Sequence, residues 1–228
     1  MESPTHCHHR SHKTCVSLVP IFNHLSDEQM ADIAALARSK HYKKGEFLYQ
    51  PEETSDALYI LNQGMVRIFH LTESGKEQLV RFLQPGDFTG EMALFRSSVH
   101  ESFAQAVKDT TICILKREDL QPLLAKYPAI SLKIMEEFSR RLDQSEKQTT
   151  LVATEKVEAR LAVFLVELME LGENEVTLPM SKKDLASYLG TTPETISRKL
   201  SSLEENGLIT QVTNKRIRIN DVDALLLV

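Results

Sequence analysis

Residues 181–208 read SKKDLASYLGTTPETISRKLSSLEENGL, a segment with the apolar spacing of two short amphipathic helices. Small polar side chains stand where the helices would begin, and glycines stand where the chain can turn tightly or leave a helix. A serine followed by an acidic residue predicts a capping box, and proline suits the first position of a helix. These signals lie at Ser181 with Asp184, Gly190, Thr192, Pro193 and Asn206-Gly207. The segment therefore predicts a helix-turn-helix.

The outward face of the second helix carries side chains suited to reading DNA. Arg198 can donate two hydrogen bonds to guanine and Glu194 can accept one from cytosine, each contact discriminating by about 1–3 kcal/mol. Ser197 can reach a base or a phosphate. The residues of this helix predicted to contact DNA are Thr192, Glu194, Thr195, Ser197, Arg198 and Lys199.

A small hairpin is predicted after these helices, from residues 209–212 and 216–219. Its Lys215 and Arg216 can contact DNA phosphates, as in a winged helix-turn-helix. The alternative is a helical pair that binds another protein. The two helix caps, the glycine turn and the hairpin occur together, and this combination favours DNA.

The charge of the chain gives DNA binding no general support. The formal net charge is −5, and residues 155–228 contain nine Lys/Arg against twelve Asp/Glu, a net of −3. A DNA-binding surface must therefore rest on a few well-placed basic groups.

Other classes of protein are disfavoured by composition and motifs. Hydrophobic residues make up 42% of the chain and charged residues 26%, as in globular domains. No apolar run approaches the roughly 18 residues of a membrane helix or resembles a secretory signal, so we expect a cytoplasmic protein without a membrane partner. No Gly-x-Ser-x-Gly, His-Glu-x-x-His or phosphate-loop motif is present, so we do not expect an enzyme. A sensor or scaffold that does not bind DNA is the remaining alternative.

Short alternating runs separated by glycine and proline fill residues 43–115. Their spacing of about 8–12 residues is typical of an all-β barrel or roll. The predicted strands are residues 47–49, 58–61, 65–70, 78–82, 103–107 and 112–115. A helix is predicted before them, over residues 25–39, with Ser26 as its N-cap.

A long helix is predicted from residue 129 to about 152, after interruptions at Pro122 and Pro128, and a second helix over residues 155–171. One stripe of the long helix alternates spacings of three and four, which favours pairing with its twin in a homodimer. The alternative is that the stripe packs on the β domain. The stripe consists of Met135, Phe138, Leu142, Ser145, Thr149 and Val152.

We therefore expect an α+β chain in four parts. Residues 1–20 form a flexible arm rich in Cys and His, and residues 21–128 form a β-roll sensor domain. Residues 129–153 form the dimerisation helix, and residues 154–228 form a winged helix-turn-helix that binds DNA.

From about residue 22 onward the sequence resembles the CRP/FNR family of bacterial transcription regulators. DLASYLG at residues 184–190, followed by ETISR at residues 194–198, carries the resemblance. Glu-x-x-Ser-Arg is similar to the FNR branch, which implies a TTGAT-type half-site within an inverted repeat. The resemblance also implies a cyclic-nucleotide-binding-like roll, a homodimer on double-stranded DNA, and RNA polymerase as a partner.

The roll departs from the cyclic-nucleotide binders of this family. Those proteins follow Gly-Glu, here Gly90-Glu91, with Arg-Ser about ten residues later, and the arginine pairs with the cyclic phosphate. This chain has Glu101-Ser102 in that place. A carboxylate repels a phosphate, so we do not expect cAMP to be the signal.

The cysteines suggest a thiol signal by resemblance. Cys113 matches the internal cysteine that ligates iron–sulfur in the FNR branch, but such a cluster uses four thiolates and this chain has only Cys7, Cys15 and Cys113. The sequence looks like the FNR-like proteins of Gram-positive bacteria that lack the cluster, which implies a reversible Cys15–Cys113 disulfide. Closing a loop of nearly a hundred residues contributes about 4–5 kcal/mol in the chain-entropy model, enough to shift a two-state regulator.

Other readings of the same residues stay open. Cys113 can be an inert buried residue, an iron–sulfur centre can use a histidine ligand, and a small ligand can occupy the roll. Zinc can bind three or four ligands of a compact N-terminal set, and it would compete with a disulfide for Cys15. That set is Cys7, His8, His9, His12 and Cys15.

Overall fold

The computed structural model describes residues 16–73, 75–169 and 173–228. The chain divides into two compact units, Met1–Lys76 with Val80–Arg141 and Glu77–Leu79 with Leu142–Val228. Over the residues described, no helix combines the length and apolarity needed to cross a bilayer.

The first unit is a β-roll flanked by helices. Its helices are α1 (Asp27–Leu36), a 3-10 turn (Glu91–Leu94), α2 (Arg117–Lys126) and the first part of α3 (Pro128–Thr154). Its strands, with β6 running into the second unit, are β1 (Arg38–Tyr42), β2 (Phe47–Tyr49), β3 (Thr54–Ser55), β4 (Ala57–Gln63), β5 (Val66–Leu71), β6 (Glu77–Leu83), β7 (Phe88–Thr89), β8 (Ser98–Val99), β9 (Phe103–Ala106) and β10 (Thr110–Lys116). They form antiparallel sheets in the orders β1-β10-β4-β7 and β2-β9-β5-β6, with β3 paired to β8.

All six strands predicted from the alternating runs are present, and Ser26 caps α1 with a capping box to Gln29. The prediction for residues 25–39 was wrong at its end, because the helix stops at Leu36 and Arg38 already belongs to β1. β1 is polar on both faces, so its sequence lacks the alternation of apolar and polar residues that predicts a strand. Its pairing with β10 stabilises the extended conformation. Pro122 was also misplaced as a breaker, since it lies inside α2.

The core of the first unit lies between β-strands and helices. Val16, Phe22 and Cys113 belong to one cluster of buried side chains, together with residues of α1, α2 and the start of α3. A second cluster fills the roll itself, where Leu61, Val66 and Ile112 are fully buried. The segment that begins at Val16 is therefore part of the packed core.

The long helix α3 has one buried side and a largely exposed apolar stripe. Ile130, Ile134 and Glu137 are buried, whereas Met135 and Leu142 of the predicted stripe are 58% and 59% exposed. Phe138 is the exception, since its ring meets Phe95 at 5.8 Å and packs on the core of the first unit. Met135 and Leu142 of the stripe thus present large apolar side chains at the surface.

The second unit combines short helices with a small sheet. Its elements after α3 are α4 (Val157–Glu167), β11 (Glu175–Thr177), α5 (Lys182–Tyr188), α6 (Pro193–Glu205), β12 (Ile209–Gln211), β13 (Arg216–Ile219) and α7 (Val222–Leu225). The sheet order is β11-β13-β12. The predicted hairpin is present. β11 adds a third strand, which is only three residues long and was not predicted from the sequence.

Candidate nucleic-acid interface and sensor residues

Side-chain caps start both helices of the α5–α6 pair. The Ser181 hydroxyl accepts a hydrogen bond from the Asp184 N–H at 3.1 Å and donates one to the Asp184 carboxylate at 2.6 Å. The Thr192 hydroxyl accepts from the Thr195 N–H at 3.3 Å, with Pro193 at the first turn of α6. Gly190 has a φ of +68°, a conformation that glycine adopts without strain. Local chemistry therefore accounts for the turn between the helices.

Burial divides α6 into an inner and an outer face. Ile196, Leu200 and Leu203 are fully buried, at the spacing of one helical face. The N-terminal half of the opposite face carries exposed Glu194, Ser197 and Arg198, with Thr195 half-buried. A helix held by its apolar side and polar on the other can enter a DNA groove with its polar side toward the bases.

Glu194 is held in its ionised form. Hydrogen bonds from its own backbone N–H and from the Thr192 hydroxyl lower the pKa of this carboxyl. An ionised carboxylate only accepts hydrogen bonds. It is therefore suited to a base edge that donates, as cytosine does in the major groove.

Lys199 has a partner within the protein. Its Nζ lies 2.6 Å from the Glu158 carboxylate of α4, and both side chains are largely covered. The sequence placed Lys199 with the outward DNA contacts; the geometry instead joins α6 to α4 through this ion pair. Glu158 gave no sequence signal for this role, because the pair spans 41 positions.

The turn between β12 and β13 presents two basic side chains. Thr213 shapes it, since its hydroxyl accepts from the backbone N–H groups of Lys215 at 3.2 Å and Arg216 at 2.9 Å. Lys215 and Arg216 are both exposed. Arg218, the next exposed arginine on β13, pairs instead with Glu175 at 2.6 Å. This hairpin, the wing (residues 209–219), therefore presents the cations of Lys215 and Arg216 at its tip, whereas Arg218 at its base is neutralised by Glu175.

A cavity of about 310 Å³ lies in the roll of the first unit. Glu91, His100 and Glu101 line it, and the His100 ring stacks on Tyr49 at 3.7 Å. Burial lowers the pKa of His100 and so favours the neutral ring. Glu91 Oε2 and His100 Nε2 are buried polar atoms that find no hydrogen-bond partner among the residues that the structure describes. By the sequence resemblance, Glu101 stands where the cyclic-nucleotide binders carry an arginine.

The cavity wall is tied to α3 by ion pairs. Arg141 Nη1 lies 2.7 Å from Glu91 Oε1, and Arg141 Nε lies 2.6 Å from Glu137 Oε1. Arg141 also covers the Phe88 ring at 4.3 Å. Arg141 is thus already engaged by the carboxylates of Glu91 and Glu137.

Cys113 lies in β10 and is 1% exposed. Its sulfur is disulfide-bonded. The other cysteines of the chain, Cys7 and Cys15, lie outside the described residues, as do the candidate metal ligands His8, His9 and His12. Within the ranges that the structure covers, no cluster of three or more His, Cys, Asp or Glu is arranged to hold a metal ion.

Comparison with known proteins matches both units. Residues 39–127 match a cyclic nucleotide-binding domain model, and residues 159–227 match a Crp-like helix-turn-helix domain model. The "Probable transcriptional regulator flp" of Lacticaseibacillus casei is 36% identical over 207 residues, which are 90% of this chain and 94% of that protein. The "Anaerobic regulatory protein" of Pasteurella multocida (strain Pm70) is 32% identical over 197 residues, covering 84% of this chain and 71% of that protein.

A solved structure shares the architecture. FixK2 from Bradyrhizobium japonicum superposes with a TM-score of 0.71 at 28% identity, covering 83% of this chain and 95% of that one. The relatives are transcriptional regulators and not enzymes. With a cyclic-nucleotide-binding-type roll, a long helix and a Crp-like helix-turn-helix, the chain belongs to the CRP/FNR family of DNA-binding transcription regulators.

Proposed function

We propose that this regulator reads a TTGAT-type half-site, repeated in inverted orientation, through the N-terminal half of α6. The observation that carries the proposal is the exposed trio of Glu194, Ser197 and Arg198 above a fully buried apolar face. Arg198 supplies the donors for guanine and Glu194 the acceptor for cytosine. Thr192 and Thr195 extend the polar surface, while Lys215 and Arg216 of the wing bind phosphate.

The regulator acts as a homodimer joined along α3. Leu132, Met135 and Leu142 are 63%, 58% and 59% exposed, an unusual density of large apolar side chains on one helix. Met135 and Leu142 are seven residues apart, which is one heptad of a coiled coil. Two-fold symmetry then matches the inverted repeat in the DNA, from which the dimer controls RNA polymerase.

A reversible Cys15–Cys113 disulfide supplies the signal. The disulfide at Cys113 supports this pairing. Val16, the neighbour of Cys15 in sequence, is fully buried in the same cluster as Cys113. The name of the Pasteurella relative, "Anaerobic regulatory protein", is consistent with a signal linked to oxygen.

Three other signals find less support in the chain. A four-thiolate iron–sulfur cluster does not fit a chain with three cysteines, one of them disulfide-bonded. Zinc at Cys7, His8, His9, His12 and Cys15 would compete for the same thiol. A small ligand in the roll is favoured by the 310 Å³ cavity, but the Glu101 carboxylate disfavours a cyclic phosphate.

The experiment is a titration of a labelled inverted-repeat duplex with and without dithiothreitol, using wild type, Cys15→Ser and Cys7→Ser. We expect the affinity of wild type and Cys7→Ser to change with redox state and that of Cys15→Ser to stay constant. Zinc content is measured on the same samples. Equal wild-type affinity in both redox states would refute the thiol signal and leave the DNA-reading proposal standing.

A further inference from the structure

The junction between α3 and α4 is tied to the turn of the helix-turn-helix by one arginine. Arg160 of α4 donates from Nε to the Glu155 carbonyl at 3.0 Å and from Nη1 to the Leu189 carbonyl at 2.6 Å. Carbonyls at the ends of helices lack partners within their own helix. The rigid guanidinium fork of Arg160 satisfies one at the end of α3 and one at the end of α5 together.

A second side chain makes a parallel link. Gln148, in the last two turns of α3, donates from Nε2 to the Tyr188 carbonyl at 3.2 Å. The turn itself lies close against these groups, since a Cβ at Gly190 would stand 3.4 Å from Arg160 Nη1 and 3.5 Å from Val152 Cγ1. The turn between α5 and α6 therefore packs against the C-terminal end of α3.

The Lys199–Glu158 ion pair extends the attachment to α6. Glu158 and Arg160 lie in the first turn and a half of α4, so one short segment holds both helices of the DNA-binding pair. None of these contacts faces the exposed side of α6, where Arg198 lies.

We infer that Arg160 and Gln148 form a clamp that fixes the helix-turn-helix to α3 and thereby sets the spacing between half-sites that the protein accepts. The inference rests on the proposed dimer through α3. In a two-fold dimer the separation of the recognition helices determines the half-site spacing. If the helix-turn-helix can move relative to α3, DNA with an altered half-site spacing loses little binding free energy. A helix-turn-helix that is fixed to α3 can bind such DNA only by deforming it.

The test uses the full chain and duplexes that carry the same two half-sites with spacers shortened or lengthened by one or two base pairs. Wild type should bind the altered spacers about tenfold or more weakly, because DNA must bend or twist to fit. Arg160→Ala should bind all spacers alike, and Arg160→Lys should lie between, since one ammonium cannot span both carbonyls. Arg218→Ala is the matched control, because it removes an arginine that pairs at the base of the wing, and it should keep the wild-type preference.

A purely structural role would instead lower binding at every spacer. Gln148→Leu, which keeps the size of the side chain and removes its donor, provides a second variant should Arg160→Ala unfold. The clamp alone would be overturned if Arg160→Ala kept the wild-type spacing preference. If Arg160→Ala unfolds, the same preference in Gln148→Leu would overturn it. Wild-type protein that binds all spacers alike would overturn the dimer proposal and the clamp with it.

Discussion

The outer face of α6 and the cavity of the roll differ in how much of the family pattern they keep. On α6, Glu194, Ser197 and Arg198 stand exposed over a buried apolar face. In the roll the glycine turn at Gly90 and the cavity are present, while Glu101 stands where an arginine would bind phosphate. The shape of a site can thus persist after its charge has changed, so DNA recognition and signal must be assigned separately.

The largest effect is expected from the buried side of α6. Leu200→Ala removes a fully buried side chain and should lower the free energy of unfolding by about 2–5 kcal/mol. Urea denaturation followed by circular dichroism measures this. Ser201→Ala, on the exposed side, is the control and should change stability little; equal losses in both would contradict the division of α6 into two faces.

The next largest effect is expected at the exposed side. Arg198→Ala should cost about 1–3 kcal/mol at a TTGAT-type site and remove the preference for that site. Lys215→Ala should weaken binding to every sequence and reduce its salt dependence. Anisotropy titrations on specific and scrambled duplexes separate the two. Equal loss on both duplexes in Arg198→Ala would exclude base reading.

The cavity can be tested by restoring the missing charge. Glu101→Arg replaces a carboxylate by a donor for phosphate, and it should strengthen binding of cAMP by about tenfold or more. Isothermal titration of wild type and variant measures the gain. Tight binding of cAMP by wild type would show that Glu101 does not exclude the cyclic phosphate.

The smallest effect concerns pH. Burial lowers the pKa of His100 below its ordinary value of 6.5, so the unfolded chain takes up a proton first as pH falls. Stability should therefore decline as pH drops below about 6.5, and His100→Phe should show a shallower decline over this window. Thermal melts between pH 5 and 7.5, about the range in which histidine titrates, measure both slopes. Parallel slopes would mean that His100 does not contribute.

Features that depend on neighbouring residues could be predicted from sequence. Thr192 caps α6 because its hydroxyl reaches a backbone N–H three residues on. The chain can turn at Gly190 because a residue without a side chain adopts a positive φ easily. The pairing of Lys199 with Glu158 and the clamp at Arg160 join residues that are 41 and 29 positions apart. Only tertiary packing brings such groups together, so no local pattern announces them.

The two-faced burial of α6 also bears on how such a regulator can evolve. Glu194, Ser197 and Arg198 are exposed and carry little packing, so replacing them costs little stability. Ile196, Leu200 and Leu203 hold the helix whatever stands on the other side. New DNA preferences are therefore open to single substitutions that leave the fold intact, and duplicated copies of this chain can diverge toward different operators without passing through unfolded intermediates.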